Sequence, residues 1–117
     1  MSFLTPAEQT KLDVAIRNAE QACRAEISIY LGAVDGDPRS FATSLHNTLV
    51  LPARSILVMV DPARRIVEIV TGGHVRQTLT DEESADAIAT MTAAFATGDL
   101  AGGLTQGVEV LGVHALD

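Results

Sequence analysis

The stretch that decides the fold is SILVMVDPARRIVEIVT, residues 55–71. Its apolar run from 56 to 60 predicts a central strand covered on both faces, because a half-exposed strand would alternate apolar with polar residues. Asp61-Pro62-Ala63-Arg64 is typical of a turn, since proline presets the backbone for the second turn position. Residues 65–71 then form the returning strand, so the stretch predicts an antiparallel hairpin.

A second strand is predicted upstream of this hairpin. Residues 26–31 alternate aliphatic with polar or aromatic side chains, as in a half-buried strand. A helix that starts at Asp37-Pro38 and is closed by Pro52 separates it from the central strand. A strand–helix–strand unit predicts parallel strands joined by a right-handed crossover.

Helices are predicted at both ends of the chain. Thr5 and Glu8 form a capping box at the start of a helix over residues 6–23, and Thr80 and Glu83 repeat the box further on. The buried stripe of this later helix is predicted to contain Ala85, Ile88, Thr92 and Phe95.

The last helix follows Gly98, which ends the preceding helix, and Asp99, which caps the new one. The element order is therefore α-β-α-β-β-α-α. This order predicts one α/β (α+β) domain over residues 1–117, built on a small three- to four-stranded mixed sheet flanked by helices.

Composition argues against several classes of partner. The chain of 117 residues has a net charge of −7, and its eight Lys and Arg residues are scattered. Because nucleic-acid binding depends on clustered cations and often on stacked aromatics, and only four aromatic residues are present, we expect no nucleic-acid partner. The longest apolar run is too short to cross a bilayer, so we expect no membrane insertion.

The single cysteine, Cys23, cannot form an internal disulfide, and its place on an apolar helix face favours a packed thiol. The first residues lack the basic flank and apolar run of a signal peptide. A cytoplasmic location is therefore expected, unless the chain was cut from a longer anchored parent.

A family resemblance adds to these inferences. Leu79-Thr80-Asp81-Glu82-Glu83, residues 94–104 and residues 107–111 resemble the C-terminal half of TPM domains, and residues 4–9 and 25–29 are similar to the N-terminal part. The resemblance covers nearly the whole chain without a shift of register. The chain is identified as a member of a divergent, actinobacterial-type branch of uncharacterised cytosolic TPM-like proteins. It implies a small sheet flanked by helices, with acid phosphatase activity or calcium binding at an acidic cluster, as ascribed to some members.

The chain departs from the TPM pattern where that acidic cluster would lie. Pro52-Ala53-Arg54-Ser55 stands in place of a Lys-Asp-Asn-Gly-like turn, and residues 70–74 lack the glutamate of the family's Glu-Val-Gly-Tyr-Gly. Two carboxylates are thus missing, while Asp81 and Asp99 remain matched.

The candidate metal ligands are Asp81, Asp99, Asp35 and Asp37, with calcium as the cation, which takes six to eight oxygen ligands. Each has a structural alternative. Asp81 lies in a first helical turn, where acidic side chains favour the helix dipole, and Asp99 and Asp37 are well placed as helix caps. Asp35-Gly36-Asp37 lacks the remaining spacing of a calcium loop.

Other reactive residues carry weaker signals. His74 follows a strand and could serve as an acid–base group, but no nucleophile motif accompanies it. His46 and His114 are too far apart in sequence to indicate a metal pair. The arginines around the hairpin, 54, 64, 65 and 76, either grip an acidic partner or form a solvated turn with local ion pairs.

Two functions follow. The first is a non-catalytic binding or regulatory module with a protein partner. The alternative is a metal-dependent phosphatase with a degraded site, in which calcium or magnesium held by Asp81 and Asp99, helped by Asp35 or Asp37, polarises a phosphoryl oxygen. Sequence alone leaves the oligomeric state open.

Overall fold

The structure, a computed structural model, describes residues 3–115. The chain divides into two compact units. The helical unit comprises the residues up to 24 together with those from 78 onward, and the sheet unit comprises residues 25–77. The part of the chain that is described contains four α-helices and a three-stranded mixed sheet in the order α-β-α-β-β-α-α, which confirms the predicted fold class.

The sheet has the strand order β1-β2-β3, with β1 at Glu26–Leu31, β2 at Ser55–Asp61 and β3 at Ile66–Thr71. β1 pairs parallel with β2, and β2 pairs antiparallel with β3. The predicted parallel pairing of β1 with β2 and the predicted hairpin are both confirmed. β2 is buried along its whole length, as its unbroken apolar run requires. β3 begins one residue later than predicted, because Arg65 adopts a left-handed turn conformation (φ 55°).

Helix α2, Pro38–Asn47, packs on the sheet within the same unit. Asp37 caps it as predicted, its side chain accepting a hydrogen bond from the Ser40 backbone N–H. The buried residues of this layer are Val34, Ala42, Leu57, Met59 and Val70. The apolar side chains of one sheet face and one helix stripe therefore form a single core in this unit.

Gly72 marks a close approach of two backbone segments in the sheet unit. It follows β3 directly, and a Cβ at this position would lie 2.0 Å from the carbonyl oxygen of Pro52 and 2.4 Å from the carbonyl carbon of Ala53. Two hydrogen bonds, from Gly72 N to Ser55 O (3.0 Å) and from His74 N to Ala53 O (2.9 Å), hold the segments together. β3 thus ends at Thr71, as predicted.

The helical unit is built from α1 (Pro6–Cys23), α3 (Asp81–Ala96) and α4 (Leu100–His114). The predicted bounds of α1 and both predicted capping boxes are confirmed. Within the described residues, no helix combines the length and the apolar character that crossing a bilayer requires.

Helix α4 packs on both α1 and α3 through small residues. A Cβ on Gly107 would lie 2.5 Å from Cγ of Met91, and one on Gly112 would lie 2.9 Å from Cβ of Ala19. The glycines of α4 therefore let α1 and α3 approach closely. Gly102 differs, since a Cβ there would meet the carboxylate of Asp99 instead.

The predicted stripe of α3 is wrong. The buried residues are Ser84, Ala87 and Met91, whereas Ala85 and Thr92 are exposed and Ile88 and Phe95 are half-buried. The buried positions 84, 87 and 91 each lie one residue before the predicted positions 85, 88 and 92, so a neighbouring face of the helix is buried. The space above Gly107 explains this difference, because it admits the long side chain of Met91.

Candidate functional site

The two candidate carboxylates of the sheet unit lie in the loop before α2. Asp37 Oδ2 accepts a hydrogen bond from Ser40 N at 2.9 Å. Hydrogen bonds from Ser40 hold the pKa of Asp37 below its ordinary value. Asp35 is exposed in the same loop. Asp37 is therefore used as a helix cap.

The two candidates of the helical unit stand at opposite ends of a helix pair. Asp81 is the first residue of α3 and is exposed, while Asp99 Oδ1 caps α4 by accepting from Gly102 N at 2.9 Å. His114 at the end of α4 contacts Glu83 at the start of α3, so the helices run antiparallel. The 16 residues of α3 are about 24 Å long at 1.5 Å per residue. The structure does not bring Asp81 and Asp99 together.

Across residues 3–115, no three side chains of His, Cys, Asp or Glu are grouped in a way that could hold a metal ion. Calcium takes six to eight oxygen ligands, so it needs several carboxylates and carbonyls at one point. Instead, Asp37 and Asp99 direct their oxygens at the backbone of their own helices.

Asp61, which the sequence places in a turn, has a wider role. Its side chain is buried, with Oδ2 accepting from Val34 N at 3.0 Å and Oδ1 from Ala63 N and Arg64 N at 3.1 and 3.2 Å. The bond from Val34, with smaller contributions from Arg64 and Ala63, holds the pKa of Asp61 below its usual range, although burial opposes this. The carboxylate thereby ties the loop after β1 to the hairpin turn.

The arginines of the sheet unit bond mainly to carbonyl groups. Arg64 Nη1 donates to Val34 O at 2.7 Å, Arg39 Nη1 donates to Ile69 O at 2.7 Å, and Arg76 donates to Thr71 O. These guanidinium groups brace loops and strand ends. Of the four arginines predicted around the hairpin, Arg64 and Arg76 thus donate to backbone carbonyl groups, and Arg64 also lies close enough to Asp61 to help lower the pKa of that carboxyl.

His114 lies between two carboxylates of α3. Its Nδ1 is 3.1 Å from Glu83 Oε2, and its Nε2 is 3.4 Å from Asp86 Oδ2. The Thr80 backbone bond lowers the pKa of Glu83 most, and the nearby His114 lowers it further. This arrangement links the end of α4 to the start of α3. The sequence pattern does not reveal it, because the three residues meet only when the helices pack antiparallel.

The other histidines have different surroundings. His46 is buried, and its Nε2 lies 3.0 Å from Ser55 O. A carbonyl oxygen only accepts, so Nε2 carries the proton and donates. His74 is exposed beyond β3. Cys23 is buried on α1, as the sequence predicts.

An open groove runs between α1 and α4 within the helical unit, with a volume of about 420 Å³. Its floor consists of small side chains, and its walls carry Val14, 44% exposed, and Val113, 66% exposed. Lys11 and Glu109 also line it. The hydrophobic pattern does not reveal this groove, because each valine lies outside the buried stripe of its own helix. We call it the α1–α4 groove.

Charge is distributed unevenly between the two units. The helical unit contains ten Asp and Glu residues against three Lys and Arg, whereas the sheet unit contains five of each. The whole net charge of −7 therefore belongs to the unit that carries the groove.

Comparison with known proteins places this arrangement in a family. Residues 2–112 match the model of a domain of unknown function, DUF5130. The chain belongs to the DUF5130 family. The assignment to TPM domains is thereby corrected. The motifs that suggested it, the Thr80 capping box and the glycine-rich α4, serve helix capping and close helix packing, and such features recur in unrelated proteins.

Relatives of this DUF5130 protein occur in Mycobacterium tuberculosis. The uncharacterized proteins Rv2468c and MT2543, from two strains, are each 29% identical to it over 105 residues. The match covers 90% of this chain and 63% of each relative, so the chain spans less than two thirds of their length.

Solved structures share the fold of this DUF5130 domain. The BA42 protein of the psychrophilic bacterium Bizionia argentinensis superposes with a TM-score of 0.87 at 22% identity, over 97% of this chain and 82% of that one. The N-terminal domain of a protein from P. gingivalis gives 0.84 at 18% identity, over 96% and 76%. At these identities the likeness concerns the fold alone.

Proposed function

We propose that the chain is a non-catalytic binding module that acts through surface contact with a protein partner. The α1–α4 groove is the observation that carries this proposal. Its lining combines the exposed side chains of Val14 and Val113 with the small residues Ala15, Ala19 and Gly112, and exposed apolar surface in a groove is a feature of binding sites.

The placement of the acidic residues also supports a binding role over hydrolysis. A metal-dependent phosphatase needs carboxylates that converge on one cation. Asp81 and Asp99 are separated by roughly the length of α3, and Asp37 and Asp99 already accept backbone hydrogen bonds as helix caps. Asp37 and Asp99 therefore contribute to the architecture of their helices.

The cytoplasm is the proposed location. Cys23 is buried on α1 and is the single cysteine of the 117 residues, so it cannot form a disulfide within them, which suits a reducing compartment.

The phosphatase alternative is tested with calcium and magnesium. We expect millimolar concentrations of either ion to leave the thermal unfolding midpoint unchanged, since a ligand of the native state would raise it by mass action. Hydrolysis of p-nitrophenyl phosphate is measured in the same solutions. Metal-dependent hydrolysis that disappears in Asp81→Ala or Asp99→Ala would overturn the proposal.

The binding role is tested by affinity capture from the native host at native expression. The unmodified chain is compared with a Val14→Ser/Val113→Ser double variant, which removes exposed apolar groups and leaves the buried core intact. A protein recovered with the unmodified chain and lost with the variant is the expected result. Identical recoveries from both would count against a binding function of this surface.

A further inference from the structure

His114, in the last turn of α4, has a carboxylate of α3 at each of its ring nitrogens. Its Nδ1 is 3.1 Å from Glu83 Oε2, and its Nε2 is 3.4 Å from Asp86 Oδ2. A neutral imidazole carries one N–H and one lone pair, whereas an ionised carboxylate only accepts hydrogen bonds. One of the two contacts would therefore set a lone pair against an oxygen. An imidazolium donates from both nitrogens, so both contacts become hydrogen bonds only when His114 is protonated.

Glu83 is the better placed of the two partners. Its Oε1 accepts from the Thr80 backbone N–H at 2.9 Å, while its Oε2 faces His114. Because the capping box already orders this side chain, pairing with His114 costs less side-chain entropy than an ordinary surface ion pair does. The side chains of His114 and Glu83 are each 30% exposed, whereas that of Asp86 is 68% exposed. Solvent therefore screens the contact with Glu83 less.

No basic group within α3 or α4 competes with His114 for these carboxylates. α3 contains no Lys, Arg or His, and its charged residues are all carboxylates: Asp81, Glu82, Glu83 and Asp86. α1 meets α4 at Gly112, which lies two residues and about 200° around the helix from His114, so α1 packs on the other side. The other charged residue of α4, Glu109, lines the groove with α1. The dipoles of the two helix ends act on His114 in opposite senses, which leaves the carboxylates as the deciding charges.

We propose that His114 is a pH-sensitive link between α3 and α4, whose protonated imidazole binds Glu83 and Asp86 and whose deprotonation frees the last turn of α4. Histidine is the side chain that ordinarily changes charge between about pH 5 and pH 8. The stabilisation is present while the imidazole is protonated, and it is lost as the pH rises. The same turn carries Val113, which lines the α1–α4 groove. The link does not depend on the occupant of that groove, and only its effect on binding there rests on the proposed function.

The thermal midpoint of the full chain is compared with that of His114→Gln at about pH 5.5 and about pH 8. Glutamine stays neutral at both, and Glu83 is ionised at both because its pKa lies below the ordinary value. We expect the substitution to lower the midpoint by roughly 2–4 °C at the lower pH and by less than about 1 °C at the higher. His74→Gln is the matched control, since His74 is exposed in the sheet unit and should give equal differences at both.

Double-mutant cycles identify the partner of the imidazole. Glu83→Gln removes the charge and preserves the capping box, because glutamine can occupy the same position in that motif. Glu82→Gln is its control, because it removes the same charge from an exposed position of the same turn, whereas the contact with His114 belongs to Glu83. We expect Glu83→Gln to couple with His114→Gln at the lower pH, and we expect Glu82→Gln to show no coupling. At the higher pH neither pair should couple.

Amide hydrogen exchange locates the turn that is freed. Exchange of the Val113 amide is followed by NMR in the unmodified chain and in His114→Gln, at each pH. Local opening exposes an amide to exchange, so we expect several-fold faster exchange in the variant at the lower pH and similar rates at the higher.

Three results would overturn the link. They are a midpoint difference for His114→Gln that is the same at both pH values, coupling of Glu82→Gln as large as that of Glu83→Gln, and unchanged exchange at Val113. Capture experiments that exclude a partner at the groove would refute the proposed function and leave these pH differences intact. The two failures are therefore distinguishable.

Discussion

Substitution of Gly72 by alanine is expected to destabilise the sheet unit strongly. A Cβ there would lie 2.0 Å from Pro52 O and 2.4 Å from both the carbonyl carbon and the oxygen of Ala53. These are backbone atoms, so relief requires one of two paired segments to move. Overpacking costs typically about 1–3 kcal/mol, and the backbone clash places this case near 3 kcal/mol. Alanine also restricts the unfolded chain more than glycine does, and this raises the free energy of unfolding by about 0.4–1 kcal/mol. The net loss is at least about 2 kcal/mol.

Gly73→Ala is the matched control for this substitution. The nearest atom to its added Cβ is Nη2 of Arg76 at 3.8 Å, an ordinary contact. We therefore expect a change between zero and a gain of about 1 kcal/mol. Urea unfolding measures both variants, and with a slope of about 1–3 kcal/mol/M the midpoint of Gly72→Ala falls by roughly 1 M. Equal midpoints for the two variants would refute the argument from the close approach.

Three further predictions concern packing, capping and electrostatics. Met91→Ala empties a fully buried position and should lower the free energy of unfolding by about 2–5 kcal/mol. Because Met91 fills the space above Gly107, Gly107→Ala should cost less free energy in the Met91→Ala background than in the unmodified chain. Additive losses in the double variant would contradict the contact between the two residues. Thr80→Ala removes the cap of α3 and should cost about 1 kcal/mol by thermal unfolding, so an unchanged midpoint would speak against the cap.

The third prediction concerns the pH dependence of stability. The Val34 backbone bond depresses the folded-state pKa of Asp61 below 3.8, so its stabilisation is present above that pH and is lost as pH falls through the folded value. Asp61→Asn should flatten the acid-side decline of the thermal midpoint, and an unchanged slope would exclude this role.

The sequence predicts those parts of the fold that depend on neighbouring residues. The capping boxes of Thr5 and Thr80 involve partners three residues away, so their pattern is visible in the chain itself. The hairpin is similarly local, since Pro62 sets its turn between two apolar runs. Asp37 and Asp99 act as helix caps for the same reason.

Features that join distant residues were not predictable in this way. Alanines occur all round α3, so its hydrophobic pattern is weak, and the glycines of α4 decide which face is buried. The bond from Val34 to Asp61 and the contacts of His114 link residues whose proximity depends on tertiary packing. The α1–α4 groove likewise exists only after two helices from the ends of the chain have met.

The TPM assignment failed for a related reason. It relied on capping motifs and glycine spacing, which report how helices start and pack. Such patterns describe an architecture that several families share, and they carry little information about the residues of a site.

The discontinuity of the helical unit has a consequence for how the protein is made. Ala19 and Gly112, whose contact closes the seam between α1 and α4, have nearly the whole chain between them, while the sheet unit is one continuous segment. Bringing distant ends together carries a loop-closure entropy cost, which is smaller once the intervening segment is already compact. During synthesis α1 leaves the ribosome long before α4, so it lacks this packing partner until the residues of α4 have been made. The α1–α4 groove is therefore absent from any chain that stops before α4.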